Sequence, residues 1–252
     1  MRVARFCRVT ETPGPHQFRP VMVHDGGMPL ARAGRPRHHH QRRPGLTARD
    51  EILDAAGELF TTLGYAGTST RSIAESVGIR QASLYHYFKT KDDILCALLS
   101  QTVTPTLACI PDLETAEPAL GAREHLHALA AFDGTQLLDG RWNLGALYLQ
   151  PELRGAGLEP FWSDRERLRL HYLAVSRAIV TETGVDAAAA ELPFRLVESL
   201  VNTRADDTDG DRAGLPMHVA DACVRVLGLP DADVSALRAS SSRVLAGLRA
   251  GQ

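Results

Sequence analysis

The stretch TSTRSIAESVGIRQASLYHYFKTKDDIL, residues 68–95, carries two short helical patterns around one glycine. In the first, Ile73, Ala74 and Val77 recur at the spacing of one helix face, and Gly78 follows as a stop signal. A turn through Ile79 and Arg80 leads into a second helix, expected over 81–88. There Leu84 and Phe88, four apart, share a face. Gln81, Ala82, Ser83, Tyr85 and His86 point away from it. Asp92 and Asp93 then open a further helix, where the dipole favours acids. Two short helices about a glycine-containing turn, with a longer one before them, are the layout of a helix-turn-helix unit.

Working outward, TARDEILDAAGELFTTLG at 47–64 sets Ile52, Ala56, Leu59, Phe60 and Leu63 on one face, with Thr47 as N-cap, an acid three residues on, and Gly64 as the stop. Downstream, Pro105 is expected to kink or end the fourth helix. Further helices are expected near 119–132, 141–149, 160–182, 186–204, 215–227 and 231–249. Period-2 apolar runs and hairpin turns are absent, so the chain reads as all-α.

Hydrophobic residues make up 44% and charged residues 23%, ordinary for a globular protein. The net charge of −2 excludes a uniformly basic coat but not a local basic face. Residues 1–45 hold nine arginines against Glu11 and Asp25, with helix-breaking prolines and glycines throughout, and are expected to form a disordered basic arm. Two roles stand open for it: phosphate attraction beside a DNA-binding unit, or a leader without function. The four cysteines, Cys7, Cys96, Cys109 and Cys223, are scattered, which fits a reducing cytoplasm rather than a disulfide framework. No run approaches the roughly 20 apolar residues of a membrane span, so no membrane partner is expected.

The second short helix places Tyr85, His86, Tyr87 and Phe88 in succession. Such a cluster is either buried core or a contact surface. Read as surface, its chemistry suits the major groove. Gln pairs with an adenine edge, Ala meets a thymine methyl, and Ser or Tyr hydroxyls reach phosphate or base. Lys89 and Lys91 follow as phosphate-binding cations. Charge does not decide, because residues 46–91 carry five basic and five acidic side chains.

Three motifs occur in order: A-x-x-L-F-x-x-x-G-Y at 56–65, T-x-x-I-A-x-x-x-G at 70–78 and S-L-Y-x-Y-F-x-x-K at 83–91. Together they resemble the N-terminal domain of the tetracycline-repressor (TetR) family of bacterial transcriptional regulators. The resemblance implies a helix-turn-helix domain over 46–92 and a helical ligand-binding and dimerisation domain over 93–252. It implies that Thr70 and Arg71 open the support helix near the DNA, and that Gln81, Ala82 and Ser83 head the recognition helix. Tyr85, Tyr87 and Lys91 match phosphate-contacting positions, and His86 fills a variable one. The family also implies a homodimer on a double-stranded, palindromic operator, released by a small-molecule effector.

For the dimer, two stripes are candidates: Leu192, Leu196 and Leu200, and Val219, Cys223 and Val226. Each reads equally well as intramolecular core. Trp142, Tyr148, Phe161, Trp162, His171 and Tyr172 are the candidates for an effector pocket, their aromatic character favouring an apolar or aromatic molecule. No cofactor or metal set is expected. DDTDGD at 206–211 puts Ala205 at the first position of a calcium loop and Pro216 where its glutamate belongs. His125 and His127 are splayed on a helix, and the run at His38, His39 and His40 sits in the arm. Three function classes remain: a ligand-responsive repressor, an enzyme on an all-α scaffold, and a ligand-independent architectural DNA binder.

Overall fold

The computed structural model describes residues 43, 45, 47–116, 119–150, 153, 157–206 and 212–250. The basic arm, except Arg43 and Gly45, and the loop at 207–211 lie outside the described residues. All regular structure among the described residues is helical.

Helix α1, Ala48–Gly67, starts on a capping box. Asp50 N–H donates to Thr47 Oγ1 at 3.2 Å and Thr47 N–H to Asp50 Oδ2 at 3.0 Å. Ile52, Ala56 and Phe60 are buried, as the periodicity requires. Gly64 (φ 78°) breaks the regular helix, and one further turn follows it. Leu63, placed on the buried face by its spacing, is 59% exposed beside that break.

Helix α2, Thr70–Val77, has its own box between Ser69 and Ser72. It ends at Gly78 in the left-handed conformation (φ 76°), which glycine adopts without the steric cost of a Cβ. The Ile79 N–H then closes on Ala74 O at 3.0 Å. Helix α3, Gln81–Leu84, is shorter than the sequence pattern predicts. Beyond Leu84 the coil tightens to i→i−3 bonds, His86 N–H to Ser83 O and Tyr87 N–H to Leu84 O at 2.9 Å. Phe88 N–H returns to Leu84 O, and these two side chains are still the buried pair.

Helix α4, Lys91–Ser100, is capped by Thr90 with Asp93 as the reciprocal partner. Pro105 lies in the first turn of a new helix, α5, Thr104–Glu114, where its missing N–H costs nothing. The 24 residues from Lys91 to Glu114 are long and apolar enough to cross a membrane by length and composition, contrary to the sequence reading. Their side chains Ile94, Leu95, Leu98 and Leu99 are instead packed in the core.

The remaining helices are α6 (Ala122–Asp139), α7 (Gly145–Tyr148), α8 (Glu159–Thr183), α9 (Leu192–Glu198), α10 (Leu200–Asp206), α11 (Leu215–Arg225) and α12 (Asp231–Ala250). Helix α6 runs seven residues further than expected. It is buried on every side from His125 to Ala131 and packs against α5, α8, α9, α10, α11 and α12, which makes it the axis of this part of the chain. The single helix expected over 186–204 is broken into a 3-10 turn, Ala187–Glu191, then α9 and α10. Pro193, in the first turn of α9, cannot donate to a preceding turn, so it starts a helix rather than continuing one.

Candidate nucleic-acid interface

The helix-turn-helix separates its aromatic run by burial. Leu84 and Phe88 are buried, while Tyr85 and Tyr87 are 45% and 47% exposed. Gln81, Ala82, His86 and Lys89 are also exposed, and Ser83 and Thr70 are half-buried. The run is thus an exposed aromatic face anchored by two core residues. Three side chains of the helix-turn-helix form a hydrogen-bonded triangle: Gln81 Nε2 donates to Thr70 Oγ1 at 2.9 Å and to Tyr85 Oη at 3.4 Å, and the two hydroxyls are 3.1 Å apart. Arg71, one residue along, is exposed and pairs with Glu75 at 2.8 Å.

Lys91 is turned inward. Its ammonium donates to the carbonyls of Tyr65 and Thr68, both at 2.9 Å, and sits 3.9 Å above the Tyr65 ring. Two of its three N–H donors are therefore committed to the end of α1. The Tyr65 hydroxyl in turn bonds Asp92, and burial with that contact pushes its pKa well up. Arg49, which sequence reasoning missed, is exposed at the start of α1 with its guanidinium 4.8 Å over Phe88. No local signal announces that contact, since the pair are far apart in the chain.

Helix α1 also carries a polar junction. Asp54 accepts from Arg43 Nη1 at 2.9 Å, Arg141 Nη1 at 2.9 Å and the Trp142 indole N–H at 3.1 Å. Arg43 further bonds Ser76 of α2 and Glu58. The Trp142 ring fills the space over Gly57, where a Cβ would lie 2.6 Å from Cδ1. Trp142 thus joins the segment between α6 and α7 to α1, and it lines a cavity of about 300 Å³ with Leu144, Gly145 and Arg204 among others.

Of those candidates, Tyr148 and Trp162 line a cavity of about 420 Å³ together with Leu149, Arg165, Arg195 and Glu198. Phe161 is fully buried against both rings, at centroid distances of 5.4 and 5.0 Å. Arg165 Nε donates to Glu198 Oε1 at 2.8 Å, and Arg195 Nη1 to Glu198 Oε2 at 2.9 Å. The charged lining had no sequence signal, because α8 and α9 meet only in the fold. A second cavity, about 550 Å³, opens between α5, α6 and α12 and is lined by Cys109, Phe132 and Leu245 among others. Burial pushes the Cys109 thiol up to about 12, so it stays protonated.

His171 and Tyr172 lie elsewhere. His171 Nε2 meets His125 Nε2 at 2.9 Å, and burial pulls both imidazoles below their ordinary pKa, which fits a neutral pair in which one ring donates to the other. The Tyr172 hydroxyl donates to Asp133 Oδ2 at 3.0 Å, and Thr106 to Asp133 Oδ1 at 2.8 Å. Complete burial raises the Asp133 carboxyl to about 6 despite those two bonds.

The structure also assembles a hydroxyl–imidazole–carboxylate array that the sequence did not reveal. Ser241 Oγ is 2.8 Å from His127 Nδ1, and His127 Nε2 is 3.0 Å from Asp221 Oδ1. Each side chain is at most 1% exposed, so no substrate reaches the hydroxyl. Arg238 also binds Asp221, at 2.8 Å. Burial works against the Asp221 carboxylate, yet the Arg238 and His127 bonds hold it below the usual range. The array fastens α12 to α6 and α11.

Two of the expected dimer residues belong to the protomer's own core: Leu200 is 1% exposed and Cys223 fully buried, because α10 and α11 pack on α6. Leu192 is 45% exposed, and Leu196, Val219 and Val226 are half-buried.

Residues 52–98 match the family described as bacterial regulatory proteins, tetR family. The fatty acid metabolism regulator protein of Bacillus subtilis (strain 168) is 31% identical over 170 residues, 67% of this chain and 83% of that protein. The crystal structure of Mycobacterium smegmatis AmtR matches with a TM-score of 0.74 and 49% identity, over 82% of this chain and 98% of AmtR. The ketosteroid transcriptional regulator KstR2 of Mycobacterium tuberculosis shares the fold at 19% identity and a TM-score of 0.57, over 73% of this chain and 95% of its own. The helix-turn-helix, the helical body and these relatives agree: the chain belongs to the tetR family of bacterial regulatory proteins, DNA-binding transcriptional regulators and not enzymes.

Proposed function

We propose that the protein is a ligand-responsive repressor in the bacterial cytoplasm, which binds a palindromic operator as a homodimer and is released by a small apolar or aromatic effector. The observation that carries this reading is the exposed triangle of Thr70, Gln81 and Tyr85 on a face whose core anchors are separate residues. Gln81, Ala82 and Ser83 would meet base edges, Thr70 and Arg71 the backbone or a base, and Tyr85, Tyr87 and His86 the flanking phosphates. Lys91 keeps one N–H for a phosphate while holding the end of α1. Residues 46–92 form the DNA-binding unit in this reading, and 93–252 the effector and dimerisation unit. In the arm from Arg35 to Arg43, Arg35, Arg37 and Arg42 add sequence-independent attraction, Arg43 being paired with Asp54 and Glu58.

In a dimer the two recognition helices must sit about 34–36 Å apart to read successive half-sites. Leu192, Leu196, Val219 and Val226 keep enough exposure to meet the second copy. The effector would enter the cavity at Tyr148 and Trp162, and the Trp142–Asp54 junction supports a path from the effector unit to α1. Release then follows from unequal affinity of the effector for the two dimer spacings.

The test is a titration at about 150 mM salt, a level at which non-specific attraction is weak. DNA upstream of the protein's own gene is compared with a shuffled control. Specific binding with two protomers per site, lost in Gln81→Ala, is the expected result. Equal, weak and strongly salt-dependent binding to both would replace the repressor with the architectural reading.

A further inference from the structure

The cavity between α7, α8 and α9 has an internal imbalance of both charge and hydrogen bonding. Two guanidiniums, Arg165 and Arg195, face one carboxylate, Glu198. Glu166, the next acid along α8, is engaged with Arg169 at 2.8 Å. Glu198 uses one oxygen for each arginine, and Arg195, 57% exposed at its side chain, engages it through Nη1 alone. The lining residues themselves therefore carry one net positive charge and unused guanidinium donors at the mouth, with Glu166 as the nearest further acid felt by both arginines.

The second imbalance is the Trp162 indole. Its Nε1–H is shielded from solvent and has no acceptor. A buried donor left without a partner is costly, so its satisfaction by an incoming molecule favours binding. The walls add shape: the Tyr148 and Trp162 rings stand at 81° to one another with centroids 6.4 Å apart, so a flat ring lying on one meets the other edge-on. Leu149, 42% exposed, extends the apolar surface at the same cavity.

We propose that this cavity is a binding site for a planar aromatic carboxylate, its ring lying against Trp162 and Leu149 in the corner closed by the buried Tyr148, and its acid group accepting from Trp162 Nε1 and Arg195. The assignment rests on the effector reading above and sharpens it. A cation would meet the surplus guanidinium, and a sugar would leave its hydroxyls against aromatic walls. A volume of about 420 Å³ holds one or two fused rings with a short acid arm.

The experiment is isothermal titration of the full-length protein with trans-cinnamate, cinnamamide and phenethylammonium. The acid binds, the amide binds at least about tenfold more weakly, and the amine does not bind, as expected when charge-assisted bonds to arginine carry the recognition. Trp162→Phe keeps a ring but removes the donor, and Arg195→Gln removes the charge. Each weakens cinnamate by about tenfold. Circular dichroism of both variants shows that the fold is intact before the comparison is made. Equal affinity for amide and acid, binding of the amine, an unaltered Trp162→Phe, or no heat from any of the three at millimolar concentration would each overturn the assignment. Operator binding without cinnamate binding leaves the regulator standing and removes this inference. Cinnamate binding without operator binding does the reverse.

Discussion

Trp142 packs its indole over Gly57 and donates the ring N–H to Asp54 Oδ1 at 3.1 Å, so the segment after α6 grips the first helix at a residue without a side chain. Arg43 holds the same carboxylate from the arm's side, at 2.9 Å. Asp54 thereby ties Arg43, α1 and the segment after α6 together.

Gly57→Ala should destabilise the fold by about 1–3 kcal/mol, since its Cβ would come within 2.6 Å of the indole. Chemical denaturation measures the loss, and an operator titration shows whether a displaced Trp142 also alters DNA affinity. An unchanged denaturation midpoint would mean that the ring swings aside freely and is no grip.

Gln81→Ala should weaken operator binding by about 1–3 kcal/mol and relax the preference at one base pair. Tyr85→Phe removes the hydroxyl that the Gln81 amide and Thr70 share. If the triangle pre-positions Gln81, the double mutant loses less than the sum of the two single losses. Strict additivity would show two independent contacts.

Lys91→Met keeps the stem over the Tyr65 ring but leaves the Tyr65 and Thr68 carbonyls without their ammonium. The expected outcome is a loss of about 1–3 kcal/mol in stability. A variant with wild-type stability that is weakened equally on all DNA, with a salt slope flatter by about one, would return Lys91 to a purely phosphate-binding role.

Asp133 gives a pH dependence with a definite sign. Its carboxyl titrates near 6 when folded against 3.8 as the ordinary value, so the folded state holds the proton more tightly. The stability this contributes is full below about pH 4 and is lost as the pH rises through about 6. The difference is worth roughly 3 kcal/mol. Asp133→Asn cannot ionise, so its thermal midpoint relative to wild type should be higher at pH 7 than at pH 4. The comparison cancels the histidines, which both proteins share. A difference that is the same at both pH values would mean that the carboxyl does not titrate in this window.

The helix-turn-helix was legible because its signals are local. Thr47 with Asp50, the left-handed Gly78, and Leu84 paired with Phe88 all act within one or two turns. Where the reading slipped, a neighbour in space had the deciding effect. Leu63 has helical spacing but loses its cover at the Gly64 break, and Lys91 looks like a free cation until α1 folds back over it. Trp142 lines a cavity, but its hold on Asp54 and Gly57, more than eighty residues away, carries no sequence signal. Separation along the chain also hid Glu198 from Arg165, 33 residues away, and Asp221 from His127, 94 residues away. Such pairings depend on which helices pack around α6, and neither periodicity nor capping encodes that.

The triangle of Thr70, Gln81 and Tyr85 bears on how such a regulator can change its targets. The Gln81 amide, the base reader in the proposed function, is held by one residue on the support helix and another on its own, so its direction is a joint property of three codons. A mutation at position 81 alone alters the reader and leaves its two supports shaped for glutamine. Duplicated copies of this gene would therefore diverge in operator preference through linked changes at 70, 81 and 85, with the intermediate steps binding old and new sites poorly.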